Sequence, residues 1–146
     1  MSDSAKSRPI GGACLCGAVQ FEIELPSESC GHCHCSMCRR SHGAGFVTWV
    51  IVPTSRLRIT AGEDRLVRYQ SSDHGGRHFC RVCGSSLFGD SSRTPELMYV
   101  TRANLVGEID RAPEFNACYS DRASWVDVDE SLLRLDDAGV LTTEPE

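Results

Sequence analysis

Apolar and polar residues alternate without a break at the start of the chain's ordered part: Val19, Phe21, Ile23 and Leu25 on one side, Gln20, Glu22 and Glu24 on the other. Successive side chains of a strand point to opposite faces, so this is the pattern of a half-buried β-strand. Short runs bounded by Gly, Pro, Asp or Ser predict further strands at 45–52, 56–60, 65–70, 77–80, 86–88, 97–101 and 114–119. Helical periodicity is scarce. One or two turns are expected at 36–41 and single turns at 102–105 and 130–135, while 26–31 and 62–64 read as surface turns. The pattern predicts a mainly β chain of small antiparallel sheets with few short helices. A length of 146 residues suits one core. The ends, 1–9 and about 140–146, lack periodicity. The expected organisation is a flexible N-terminus over 1–10, one folded domain over 11–136 and a flexible tail over 137–146.

Cysteine usage changes the picture. Nine cysteines in this chain would suggest a disulfide framework in an oxidising compartment. Cys14 and Cys16, and likewise Cys33 and Cys35, are too close in sequence to bridge readily, and the total is odd, so metal binding is the better expectation. Oxidised vicinal thiols in a redox sensor are a competing reading. The apolar run at 46–52 is too short for a bilayer span, which needs about 20 residues, and the first residues carry no secretory pattern. A cytoplasmic protein with no membrane partner is expected.

Fifteen basic and twenty acidic residues give a formal charge of −5. If seven of the cysteines bind two divalent ions as thiolates, the total falls by three charges to about −8, which disfavours a nucleic-acid partner.

The cysteines fall into three groups: Cys14-Leu15-Cys16-Gly17, Cys33-His34-Cys35-Ser36-Met37-Cys38 and Cys80-Arg81-Val82-Cys83-Gly84. Two distant pairs give the four soft ligands of a structural zinc, so Cys14, Cys16, Cys80 and Cys83 form the first expected site. The glycine after each pair allows a tight turn in which N–H groups face sulfur. Cys33, Cys35 and Cys38 supply three ligands of a second zinc, leaving a fourth position open to chemistry. Cys30, His32, His34, His42, His74, His78 and Cys118 are alternatives for that position; with Cys30 bound, the site would be closed and structural. Arg39 and Arg40 follow Cys38, where a guanidinium could capture a carboxylate or simply balance thiolate charge. Trp49 is expected in the core, and Trp125 in the core or a pocket wall.

The stretches GGACLCGAVQFE, HCHCSMCRRSHGAGF, GEDRLVRYQSS and RHFCRVCGSSLF resemble, in order and spacing, the glutathione-dependent formaldehyde-activating enzyme family over about residues 11–130. The resemblance implies a β-tent fold tied together by zinc and a carbon–sulfur lyase. It also implies structural zinc on Cys14, Cys16, Cys80 and Cys83, and catalytic zinc on Cys33, Cys35 and Cys38. The reaction it implies condenses formaldehyde with glutathione to S-hydroxymethylglutathione, with arginines such as Arg39 or Arg40, and Trp125, at the substrate. The C-terminal third departs from the family. Thr101-Arg102-Ala103-Asn104-Leu105 replaces a Gly-Thr-Leu-Asp-like stretch, and Asn116 stands where a histidine often follows Pro-x-x. A non-catalytic zinc-binding interaction module is the alternative function, and exposed strand edges are compatible with a homodimer.

Overall fold

The alternation at the start of the chain forms β2 (Gln20–Leu25) in a computed structural model that describes residues 8–142. Phe21, Ile23 and Leu25 are fully buried there. β2 lies between β1 (Arg8–Ala13) and β5 (Leu57–Ala61) in a three-stranded antiparallel sheet. The remaining strands are β3 (Ser29–Cys33), β4 (Val47–Pro53), β6 (Leu66–Gln70), β7 (Gly75–Cys80), β8 (Ser86–Ser91), β9 (Leu97–Thr101), β10 (Phe115–Ala117) and β11 (Leu133–Arg134). They form an eight-stranded sheet in the order β11-β10-β3-β4-β9-β8-β7-β6. The protein is mainly β, as the sequence pattern predicts. Its pairings are antiparallel except at one edge, where β10 runs parallel to both β3 and β11.

The main core fills the space between the sheets. Phe21 of β2 meets Phe88 of β8 edge to face at 4.9 Å, a favoured aromatic geometry. Val50 and Val52 of β4 join them, together with Leu87 and Val100. The other face of β4 is also covered: Val47 and Trp49 pack with Cys38, Cys33, Cys35 and Tyr99 in a second, smaller cluster. A strand buried on both faces needs apolar residues throughout rather than alternation, which accounts for the run Trp49-Val50-Ile51-Val52.

Three expectations are corrected. The strand β1 already begins at Arg8 and is paired along its length with β2, so residues 8–10 are not loose; residues 1–7 lie outside the described part. The segment 26–31 is only partly a turn, because Ser29–Cys33 is a strand held between β4 and β10. Around 130–135 there is no helical turn but the short strand β11. Beyond β11 the chain folds back at Asp136–Gly139, and the Thr142 N–H donates to the Arg134 carbonyl at 2.8 Å; residues 143–146 are outside the described part. The only α-helix among the described residues is α1 (Ser36–His42), and no described helix is long and apolar enough to cross a membrane.

Candidate metal centres

The first centre lies where the two sheets meet. Cys14 and Cys16 follow β1, Cys80 ends β7, and Cys83 lies in the next turn. Gly17 and Gly84 take φ of 81° and 83°, the left-handed conformation that glycine adopts freely. The resulting turns aim backbone N–H groups at sulfur: Val19 at Cys14 (3.3 Å), Ala18 at Cys16 (3.4 Å) and Val82 at Cys80 (3.3 Å). The Ser85 hydroxyl lies 3.2 Å from the Cys83 sulfur, and Ser85 pulls that thiol down to about 5. All four sulfurs lie within 4.8 Å of one another.

The donor set can be tested for fit. A tetrahedral ion with metal–sulfur bonds of about 2.3 Å holds its sulfurs about 3.8 Å apart. Cys14 and Cys16 are separated by 3.7 Å, and Cys16 and Cys80 by 3.9 Å. The site therefore has the dimensions of a four-thiolate metal centre.

The second centre is built from the end of β3 and the start of α1. Cys33 is the last residue of β3, Cys35 is the N-cap of α1, and Cys38 is buried in the helix. The Cys35 sulfur accepts the Cys38 N–H at 3.2 Å, so the cap that starts the helix also fixes the spacing of two sulfurs. The three sulfurs again lie within 4.8 Å of one another. They cannot all ionise unaided. Hydrogen bonds from Cys118, Cys33 and Cys38 hold the Cys35 thiol far below its ordinary range, whereas Cys33, beside Cys118 and Cys35, and Cys38, beside Cys33, are pushed far above theirs. A soft cation is what would allow three thiolates here.

The three cysteines line a cleft of ≈ 260 Å³ whose walls include Trp49, Tyr99, Met37 and Arg77. Arg77 enters from β7. Its Nη2 donates to the Cys38 sulfur at 3.6 Å, and its Nε is buried without a partner. Arg77 also lines an adjoining cleft with Arg40, Met37 and Tyr69. Asp90 is on the rim of the first cleft, where Arg68 and His78 hold its carboxyl at about 2.

The other sequence candidates are distributed as follows. Arg39 turns away from the cleft: its Nε donates to the His34 carbonyl at 3.1 Å and its Nη2 to the Asp121 carbonyl at 3.2 Å. Trp125 is 72% exposed and lies near Gly45, outside the cleft. Trp49 is buried, as expected, and also walls the cleft. Cys30 is fully buried in the main core, where burial pushes its thiol up, and it stands outside both sulfur groups. His32 bonds Thr48 (2.8 Å), His34 bonds Asn116 (2.8 Å) and His78 bonds Asp90 (2.6 Å). His74 lies in a separate shallow cleft with Arg68 and Asp90. His42 stacks edge-on to Trp49, and burial with Arg77 nearby holds its ring at about 4. Of the alternatives for a fourth ligand, Cys118 falls outside the three sulfurs that lie within 4.8 Å of one another. No local motif marks Arg77, which in the sequence reads only as one of the residues preceding Cys80.

The family model for glutathione-dependent formaldehyde-activating enzyme matches residues 9–125. A Halomonas elongata protein named for that activity is 28% identical over 125 residues, covering 81% of this chain and 80% of its own length. An Emericella nidulans protein of the same name is 33% identical over 78 residues, 52% of this chain and 40% of that protein, so the chain spans less than half of the fungal relative. A crystal structure of a Rhodobacter sphaeroides protein superposes with a TM-score of 0.59 at 34% identity, covering 67% of this chain and 89% of that one.

Proposed function

The chain belongs to the glutathione-dependent formaldehyde-activating enzyme family, and from that premise we propose that it joins glutathione, or a related small thiol, to formaldehyde beside Cys33, Cys35 and Cys38. Zinc is the proposed ion in both centres, because soft thiolates in tetrahedral sets favour it. Held by those three cysteines, it would supply a Lewis-acid position at which a thiol loses its proton near neutral pH. The new carbon–sulfur bond forms as the C=O bond becomes a C–OH bond, and the thiol proton ends on that oxygen. No oxidant or protein nucleophile is needed, which matches a carbon–sulfur lyase.

The observation that carries this reading is the shared wall of the cleft, where three cysteines and the Arg77 side chain line one small space. Arg77 is suited to hold a substrate carboxylate or developing negative charge by a charge-assisted bond. Arg40, at the adjoining cleft, is suited to a second carboxylate. Trp49 and Tyr99 present apolar surface that excludes water from the reacting groups. Arg39 instead ties α1 to the Asp121 segment and keeps Cys38 in place. A reducing, cytoplasmic setting belongs to the same proposal, since nine free thiols survive best there.

The test is direct binding. In the cobalt-substituted protein, glutathione should change the thiolate charge-transfer absorption, and Cys35→Ser should abolish the change. An unaltered spectrum at millimolar glutathione defeats the reading.

A further inference from the structure

Gly31, Gly75, Gly76 and Gly89 line the cleft together with Cys33, Cys35 and Cys38. Packing accounts for three of these glycines. A Cβ at Gly31 would collide with the Phe115 ring, and one at Gly76 with the Arg68 guanidinium, which two bonds to Asp90 hold in place. At Gly75 a Cβ would press on the Asp90 carbonyl and the Ser72 hydroxyl, both at 3.2 Å. Gly89 has no such reason to be glycine. Its φ lies outside the left-handed region. A Cβ there would meet Trp49, Tyr99 and the Gly76 carbonyl at 3.4, 3.7 and 3.8 Å, which are ordinary contact distances. Gly89 is nevertheless buried inside β8, where glycine weakens a strand and marks places at which another group approaches the backbone closely.

Sheet register defines where the missing side chain would stand. Tyr69, Arg77, Gly89, Tyr99 and Ile51 lie opposite one another on β6, β7, β8, β9 and β4, and residues so paired share a face. Arg77 and Tyr99 therefore flank Gly89 across a gap of about 10 Å, two strand spacings. Both ends of the gap lead to the sulfurs: Trp49 packs with Cys33, Cys35 and Cys38, and Arg77 donates to the Cys38 sulfur.

We propose that Gly89 determines thiol specificity, its bare backbone forming the floor on which the planar amide of a peptide-like thiol lies. The proposal rests on the reading of this cleft as a thiol-binding site. Of the two reactants, formaldehyde has no bulk that needs the space. In glutathione, one flat amide separates the sulfur-bearing residue from the glycine carboxylate. With the sulfur beside the cysteines and that carboxylate at Arg77, the amide crosses Gly89, where any side chain would lift it from the sheet. A thiol without an amide, such as 2-mercaptoethanol, gains nothing from the gap.

The experiment titrates the metal-loaded full chain with glutathione and, separately, with 2-mercaptoethanol, and follows both by proton–nitrogen NMR. Gly89→Ala should keep the metal content and hold or raise Tm, because alanine in a permitted backbone conformation restricts the unfolded chain. It should weaken glutathione binding by about tenfold, as one extra carbon does in a fitted site, and leave 2-mercaptoethanol binding unchanged. Gly89→Val, which fills the gap further with a residue suited to strands, should weaken glutathione more. Normal glutathione binding by the wild-type protein that Gly89→Ala does not weaken, or an equal loss for both thiols, overturns the role of Gly89 alone. A wild-type protein whose spectrum glutathione leaves unchanged overturns the thiol-binding reading and this inference with it.

Discussion

Replacing Cys16 by serine removes one ligand of the first centre without emptying the core, because Cys16 is exposed. The centre it belongs to ties the three-stranded sheet to β7 across 64 residues between Cys16 and Cys80. Treated as a cross-link, a closed loop of that length lowers the unfolded-state entropy by about 4 kcal/mol. The ligands of the second centre, Cys33 to Cys38, enclose only a hexapeptide, for which the same relation gives about 2 kcal/mol. At roughly 2–4 °C per kcal/mol for a domain of this size, Cys16→Ser should lower Tm by roughly 8–16 °C and Cys35→Ser by roughly 4–8 °C. The assay is thermal unfolding by circular dichroism at matched zinc, with metal content measured on each variant. An equal or larger fall for Cys35→Ser would refute the division into a structural and a functional centre.

Cys30→Ala should retain two metal ions per chain by elemental analysis, since Cys30 faces the main core; loss of one equivalent would make it a ligand. Arg77→Ala should weaken glutathione binding by about tenfold to a hundredfold, the loss of one charged hydrogen bond, with the metal content intact, as read by titration of the cobalt protein. Arg39→Ala should instead lower Tm and leave glutathione affinity within about twofold, because its donors hold backbone carbonyls rather than the cleft. His42, held at about 4 against an ordinary 6.5, stays neutral when folded but takes a proton when unfolded between those values. Its contribution to stability is present above pH 6.5 and is lost as pH falls toward 4, so urea melts of His42→Gln should show a shallower pH slope than wild type in that window.

How legible each part was in the sequence follows from how local its cause is. The strand β2 buries one face only, so Phe21, Ile23 and Leu25 alternate with Gln20, Glu22 and Glu24 and declare it. β4 is buried on both faces, and its continuous apolar run is equally plain. The strand β3 was hidden because Ser29-Cys30-Gly31-His32-Cys33 has no periodic pattern. Its conformation comes from pairing with β4 on one side and the distant β10 on the other. Both sulfur groups were readable because close spacing and the following glycines are local requirements of metal turns. Arg39 was misleading for the opposite reason: the carbonyl that occupies it belongs to Asp121, 82 positions away. Arg77 reaches the second centre only through sheet pairing, which no local motif encodes. Trp125 has the composition of a pocket residue, yet its ring lies in solvent near Gly45.

The second centre is proposed to speed the union of glutathione with formaldehyde. Two-dimensional exchange NMR of carbon-13 formaldehyde with glutathione measures that rate directly at chemical equilibrium, where adduct and free aldehyde interconvert without net change. The zinc-loaded protein should accelerate exchange in proportion to its concentration, Cys35→Ser should not, and Arg77→Ala should need more glutathione to saturate. Exchange at the protein-free rate, with zinc bound at two equivalents and glutathione at millimolar concentration, would contradict that proposal.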